Sequence, residues 1–313
     1  MAQYLITGIA GFIGSALADE LLKRGHAVRG VDNLATGCAE NLSAILDRIE
    51  FREVDILDSA AMASACAGVD FVLHEAAIPS VPKSILDPMA SNKANVDGTL
   101  SVLIAARDAK VQRVVYAASS SAYGDTPTLP KHEEMAANPI SPYAVAKLAG
   151  ELYMKSFWRV YGLETLSLRY FNVFGPRQAA NSAYSGVLAK FITQMLRGEA
   201  PVICGDGEQS RDFTYIDNVV AANLLACEAS KDKVAGEMFN CACGERVSLN
   251  ETVELLREMT GYTGAVQYEA TRAGDIQHSL ADVRKARVAF GYAPEINFAD
   301  GLQLTVEWYR TQQ

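Results

Sequence analysis

The sequence predicts an α/β fold, a doubly wound parallel sheet with a smaller mixed α/β lobe. Three observations lead there. Through the first 170 residues, short β-rich runs alternate with helical patterns. A glycine-spaced turn, LITGIAGFIG (5–14), falls between the first strand and the first helix. After about residue 171 the rhythm weakens, and turn signals such as Gly175-Pro176 and Gly205-Asp206-Gly207 appear.

The elements follow in order. Tyr4 to Thr7 is a strand. Phe12 to Arg24 is a helix with Ile13, Leu17 and Leu21 on one face, and Gly25 is its stop signal. Ala27 to Asp32, Ile49 to Val54, Phe71 to Glu75, Val114 to Ala118 and Thr165 to Tyr170 are further strands. Met89 to Ala109 and Tyr143 to Tyr161 read as helices. The right-handed crossover rule then places helices on both faces of a parallel sheet. Residues 1–170 form a dinucleotide-binding unit of the Rossmann type, to which the chain returns near 214–240 and 281–292. Residues 171–313 form most of a discontinuous substrate lobe.

The 313 residues are 50% hydrophobic and 21% charged, so a sizeable core is available and disorder is not expected. The net charge of −9 gives no global field for nucleic acid. An anionic ligand must therefore be held by a few local cations and by backbone amides. The six cysteines contain no CxxC pair and, with four histidines, make a poor metal set. They read as free buried thiols in a reducing compartment. MAQYLITG lacks the features of a signal peptide, and no apolar run reaches membrane-spanning length. The expectation is a cytoplasmic protein with no membrane partner.

In the glycine turn, Gly8, Gly11 and Gly14 stand where the backbone must bend tightly and touch a pyrophosphate. The amides of Phe12 and Ile13 lie at a positive helix N-terminus. The next strand ends in Asp32, whose carboxylate can accept from both adenosine ribose hydroxyls and would repel a 2′-phosphate. Asn33 and Leu34 supply no compensating cation, which favours NAD over NADP.

SPYAVAK (141–147) puts Tyr143 and Lys147 on one helix face. A phenol is a poor base at neutral pH, and an ammonium one turn away favours the phenolate. A Tyr and Lys at this spacing are by themselves a common exposed pair. Here the strand VVYAASSSAYG (114–124) ends in Ser119, Ser120 and Ser121, placing hydroxyls where such sheets bind ligands.

TGxxGxxG, Asp32, HEAA (74–77), NVDGT (95–99), SSSAYG, SPYAVAK and LRYFNVFG (168–175), in that order, resemble the extended short-chain dehydrogenase/reductase family. GDGEQSRDFTYIDN (205–218) and RAGDIQHSLAD (272–282) resemble its UDP-sugar 4-epimerases, most of all the UDP-N-acetylglucosamine branch. The resemblance covers essentially the whole chain. It implies a UDP-hexose 4-epimerase with NAD as cofactor. Tyr143 would be the base, with Lys147 holding the nicotinamide ribose and Ser119 the catalytic hydroxyl. Around the cofactor it implies Asn33 and Gly37 beside Asp32, Asp55 and Ile56 at the adenine, and Ala76, Ala77 and Asn95 along the nicotinamide half. On the UDP-sugar it implies Ser80, Ser120, Asn172, Gly186, Val187, Arg211 and Arg272. Two arginines suit a diphosphate, since the guanidinium fork matches phosphate oxygens. Arg211 could instead pair with Asp212 or Glu208. Ser279 would border the sugar's C2 substituent, where a small residue leaves room for an acetamido group.

The rivals differ at a few positions. Related dehydratases carry Asp-Glu after the catalytic hydroxyl, where this chain has Ser120 and Ser121. Related decarboxylases carry a Glu beside their Ser or Thr, which is absent. A UDP-glucuronate 4-epimerase is the alternative that remains. A non-catalytic NAD-sensing module would typically lack the Tyr. The resemblance also implies a homodimer joined through the helices around 94–109 and 144–161, with Leu148, Tyr153 and Phe157 as apolar candidates beyond one core face.

Overall fold

The computed structural model describes residues 1–180, 186–271 and 276–312. In order, the chain forms β1 (Gln3–Thr7), α1 (Phe12–Lys23), β2 (Ala27–Asp32), β3 (Glu50–Glu53), α2 (Ser59–Cys66) and β4 (Phe71–His74). Next come α3 (Val81–Leu86), α4 (Pro88–Asn92), α5 (Gly98–Asp108), β5 (Arg113–Ser119), α6 (Pro142–Tyr161) and β6 (Glu164–Tyr170). The second half adds β7 (Val173–Phe174), α7 (Val187–Leu196), β8 (Val202–Cys204), β9 (Ser210–Arg211), β10 (Thr214–Tyr215), α8 (Ile216–Glu228) and α9 (Lys231–Val234). It closes with β11 (Glu237–Cys241), β12 (Val247–Ser248), α10 (Leu249–Thr260), β13 (Gln267–Glu269), α11 (Arg284–Phe290) and α12 (Phe298–Arg310).

Seven strands make one parallel sheet in the order β11-β6-β5-β4-β1-β2-β3. The order reverses between β1 and β4. A crevice opens there beyond the carboxyl ends of the strands, because successive crossovers leave to opposite faces. The predicted strands fall within a residue or two of the observed ones. The sheet's seventh strand comes from the late segment 237–241.

Side-chain size sets how closely the layers approach. A Cβ on Gly14 would lie 2.2 Å from the carbonyl oxygen of Gly8, so only glycine lets α1 pack this tightly against the end of β1. Leu17, Ala18 and Leu21 of α1 then enter the main core. His74 is buried and bridges Thr7 (2.7 Å) and Thr99 (2.9 Å), tying β1 and β4 to α5. Burial pushes its pKa down to about 3, so it is neutral at any working pH.

Between α4 and α5, residues Lys93–Asp97 form a π-helical turn. One predicted helix is thus interrupted by a wide turn, a feature common at functional sites. The buried Asn95 sits in it, accepting from the Ile78 amide (2.8 Å) and donating to the Ile78 carbonyl (3.3 Å).

The helix faces correct one expectation. Phe157 is core, and Tyr153 packs against the same cluster, because both point from α6 toward the sheet. Leu148 is half-buried. The exposed apolar residues instead include Val145, Leu152 and Val160 on α6 and Ile104 on α5. All six cysteines are free, but only Cys66, Cys227 and Cys241 are buried as expected: Cys204 and Cys243 are half-buried and Cys38 is exposed. Among the described residues, no helix is long and apolar enough to cross a membrane.

Candidate active site

The crevice is a cavity of about 1420 Å³. Its wall holds Gly8, Gly11, Phe12, Ile13, Gly14, Asp32, Asn33, Gly37, Asp55, Ile56, Ala76, Ala77 and Ser80. It continues through Ser119, Tyr143, Asn172 and Gly186. Residues from eight separate stretches of sequence are therefore brought to one space.

The glycine turn forms one end. Gly8 has φ +72°, and a Cβ there would come within 2.8 Å of the Ala76 backbone. Gly11 caps α1 with no side-chain hydrogen bond, which leaves the first-turn amides free for an anion. Asp32 accepts from the amides of Ala10 (2.9 Å) and Leu34 (2.8 Å). Burial raises its pKa, while those amides pull the other way. Gly37 lies against this carboxylate, since a Cβ would stand 2.9 Å from both its oxygens. Asn33 donates to Asp55 (3.1 Å), which also accepts from the Leu57 amide.

The other end carries Ser119 and Tyr143, with Lys147 one turn further along α6. Ser141 caps α6 by accepting from the Ala144 amide, and the Tyr143 amide donates to Ser84 (3.1 Å). These contacts fix the first turn of α6. Tyr143 is hydrogen-bonded to Ser119, which favours the phenolate, but burial outweighs it and the pKa is raised. Ser119 itself accepts from the amide (3.2 Å) and the hydroxyl (2.8 Å) of Ser121. Lys147 is buried and donates to the Ala117 carbonyl (2.8 Å). Burial pulls its pKa down to about 8, with Glu75 and Glu151 opposing. Glu151 is itself held by Arg169 through two bonds of 2.8 and 2.7 Å, locking α6 to β6.

The remaining predicted residues are distributed less simply. Asn95 lies behind the wall, holding the loop at Ile78 rather than facing the cavity. Asn172 lies on the wall with φ +33°, a left-handed value for a non-glycine residue. Its amide donates to the Asp212 carbonyl (2.9 Å) and to Ser279 (3.1 Å). Ser279 is buried, also accepts from the Asp212 amide, and stands behind Asn172. Gly186 caps α7 without a side-chain bond, and Val187 begins that helix. Ser120 starts the 3₁₀ turn after β5 and is half-buried. Arg211 donates to the carbonyls of Ser210 (3.1 Å) and Gln277 (3.2 Å) on β9, away from the cavity wall. The Asp212 carboxylate accepts from the amides of Cys243, Gly244 and Ala281, and Glu208 accepts from Asn250. Arg272 lies outside the described residues.

Sequence reasoning passed over Glu75 and Tyr170, which both line the cavity and are joined by a 2.9 Å hydrogen bond. The signal was present. Glu75 is a charge at the end of an otherwise apolar strand, within a motif already singled out.

Comparison with known proteins agrees with this geometry. Residues 4–242 match the NAD dependent epimerase/dehydratase family. The chain is 36% identical over 308 residues to a putative UDP-glucose 4-epimerase of Methanocaldococcus jannaschii, covering 98% of each. The crystal structure of a Thermotoga maritima UDP-glucose 4-epimerase with UDP-glucose is 39% identical with a TM-score of 0.94, covering 99% of each chain. A Methanobrevibacter ruminantium UDP-N-acetylglucosamine 4-epimerase in complex with UDP-N-acetylmuramic acid is 38% identical with a TM-score of 0.95, covering 100% of this chain and 99% of that one. The chain belongs to the NAD dependent epimerase/dehydratase family, as an extended short-chain dehydrogenase/reductase enzyme of the UDP-sugar 4-epimerase kind or one closely related to it.

Proposed function

We propose that this enzyme is an NAD-dependent 4-epimerase of UDP-hexoses, acting on UDP-glucose and UDP-galactose and on their 2-acetamido counterparts. The observation that carries the reading is the convergence of Tyr143 and Ser119, with the buried Lys147 one helical turn beyond Tyr143, on the same crevice as Gly8, Gly11, Gly14 and Asp32.

The residues fit the cofactor. The uncapped amides of α1 suit a pyrophosphate, and the space that Gly37 leaves beside Asp32 suits a ribose diol. Asp32 opposes a 2′-phosphate, which supports NAD over NADP. When bound, NAD would supply the hydride acceptor and donor for C4, and its positive nicotinamide ring would favour the Tyr143 phenolate. Tyr143 takes the C4 hydroxyl proton, with Ser119 donating to the phenolate oxygen, and gives the proton back when the sugar is reduced. Lys147, fixed on the Ala117 carbonyl, points its charge at the same region. Asn172, Ser80, Gly186 and the amides of α7 hold the UDP portion, with Arg211 and Arg272 as the cations assigned to its diphosphate. The 4-keto sugar turns over between the two hydride transfers while that portion stays bound. The accessible helix faces around Ile104, Val145 and Leu152 support a homodimer.

One assay tests the reading: kcat/KM for UDP-glucose, UDP-N-acetylglucosamine and UDP-glucuronate, measured side by side. Turnover of the first two with poor turnover of the third is the expected result. Preference for UDP-glucuronate overturns it.

A further inference from the structure

Glu75 lines the cavity next in sequence to Ala76, and of the acidic lining residues it is the one within reach of the charge of Lys147 and bonded to Tyr170. It follows β4, and its amide donates to the Thr7 carbonyl (3.2 Å), so its backbone is fixed to the sheet. Its Oε1 accepts from the Tyr170 hydroxyl (2.9 Å), which in turn accepts from Asn223 (2.8 Å). Its Oε2 is out of contact with solvent and has no hydrogen-bond partner. A buried carboxylate oxygen without a donor is strongly disfavoured, so a built site of this kind anticipates a donor from a ligand.

The groups facing Glu75 come from several elements. Lys147 on α6 contributes the one cation that acts on it, and Tyr170 on β6 contributes its donor. Tyr116 on β5 and Cys241 on β11 are neutral neighbours whose own ionisation Glu75 opposes. Burial raises the Glu75 pKa to about 7, against the Tyr170 bond and the charge of Lys147. An added positive charge in the cavity would favour the anion further.

We propose that Glu75 is a positioning residue for the cofactor's redox end: its unpartnered oxygen accepts a hydrogen bond from the bound NAD, and its negative charge, itself favoured by the cationic ring, holds that NAD in the oxidised form. The inference rests on the functional reading above. Oxidation of the C4 carbinol sends a hydride, with two electrons, to the nicotinamide and a proton to Tyr143. The positive charge of the ring is lost in that step and regained on return. An anion nearby therefore disfavours the reduced state and drives the hydride back to the keto sugar. A neutral residue at position 75 would let reduced cofactor accumulate and the keto intermediate escape.

The test compares the wild-type holoenzyme with Glu75→Gln, which keeps the shape and the acceptor for Tyr170 but removes the charge. Bound cofactor is equilibrated anaerobically with a reference dye couple, and the NADH-to-NAD ratio is read by absorbance. The ratio at fixed dye potential is expected to rise about tenfold in Glu75→Gln, the order a unit charge exerts through a protein interior. For a two-electron couple this is about 30 mV. By linkage, the affinity for NADH relative to NAD should rise by the same factor. Glu75→Asp retains the charge and should stay within about twofold of wild type. A change below twofold in Glu75→Gln, or a tenfold rise in Glu75→Asp, overturns the proposal. Glu75→Ala also removes the charge and is read the same way, so a change below twofold there overturns the proposal even if Glu75→Gln does not fold. Epimerisation by the wild type is assayed in parallel. If the wild type binds NAD but epimerises no UDP-sugar, the functional reading falls, while the dye titration still reports on Glu75.

Discussion

Gly150 lies directly against the phenol of Tyr116: a Cβ at position 150 would stand 2.3 Å from the Tyr116 hydroxyl oxygen. The two residues set how close α6 comes to β5. The Tyr116 hydroxyl donates to the Lys147 carbonyl (3.4 Å), and Lys147 donates back to Ala117 on β5 (2.8 Å). Tyr143 and Lys147 ride on the helix, while Ser119 ends the strand. Glycine at 150 is thus what brings base and hydroxyl together. Gly150→Ala should destabilise the protein by about 1–3 kcal/mol through overpacking. It should also lower kcat by roughly tenfold or more, since a small displacement of reacting groups is costly. Urea midpoints and steady-state kinetics check both. Unchanged kcat with reduced stability would separate the packing from the chemistry.

Tyr143→Phe removes one hydroxyl from the cavity wall and leaves the ring in place. Epimerisation should fall by roughly 10²–10⁴-fold or more, the contribution of a positioned proton-transfer group. The fold and the cofactor should be retained. Mass spectrometry of the supernatant after denaturation should find NAD rather than NADP in both proteins. Near-normal turnover, or recovery of mostly NADP, contradicts the roles given to Tyr143 and Asp32.

The shift at Lys147 gives a pH signature. Its pKa falls to about 8, chiefly by burial, from an ordinary 10.5. The ammonium favours the phenolate, so kcat/KM should decline on the basic side with an apparent pKa near 8. Stability moves the opposite way for this group. Between pH 8 and 10.5 the unfolded chain holds a proton that the folded chain has lost, so unfolding becomes harder as pH rises there. A basic limb near 10 in the pH–rate profile would show that Lys147 keeps its charge far better than burial implies.

For assembly, light scattering at micromolar concentration should report a dimer. Leu152 is 62% exposed and Val145 53%, on the same face of α6, with Ile104 nearby in α5. Leu152→Glu together with Val145→Glu should convert the species to monomer, because burying unpaired carboxylates opposes association. Only monomer in the wild type would leave that apolar face without a role.

What the sequence made legible was what repeats or what must be glycine. The strand–helix alternation gave the sheet, and the spacing of Gly8, Gly11 and Gly14 before Asp32 gave the nucleotide end of the cavity. Tyr143 and Lys147 were legible because helical spacing alone puts them on one face. Features that depend on tertiary packing were not. The π-helical turn at 93–97 carries no residue that forbids an ordinary helix, so it read as uninterrupted. Phe157 and Tyr153 looked available for a partner because periodicity cannot say which of two apolar faces meets the sheet. Asn95 looked like a ligand-facing residue, yet its side chain is taken up by Ile78. The free oxygen of Glu75 could be seen only once Tyr170 and Asn223 were in place around it.

Ser279 carries the sharpest question, that of substrate width. The family resemblance implies a place beside the sugar's C2 substituent, and the structure gives the residue another task. Its hydroxyl accepts from the Asn172 side chain (3.1 Å) and the Asp212 amide (3.2 Å), and the residue is only 8% exposed. A tyrosine there could not remain in the same space, and its ring would be driven toward the cavity past Asn172. Loss of acetylated activity in Ser279→Tyr could then come from lost volume or from a displaced Asn172. Ser279→Ala separates the two, since it removes the hydroxyl and adds no bulk. If volume decides, Ser279→Ala should retain turnover of UDP-N-acetylglucosamine and UDP-glucose within a few-fold. Ser279→Tyr should lower kcat/KM for the acetylated sugar by about tenfold or more and spare UDP-glucose, a discrimination typical of a pocket that loses space for one small group. If positioning of Asn172 decides, Ser279→Ala should weaken both substrates together, and raised KM for both would show it. Equal loss of both sugars in Ser279→Tyr, or a wild type that ignores the acetylated sugars, would end the case for Ser279 as the determinant of width.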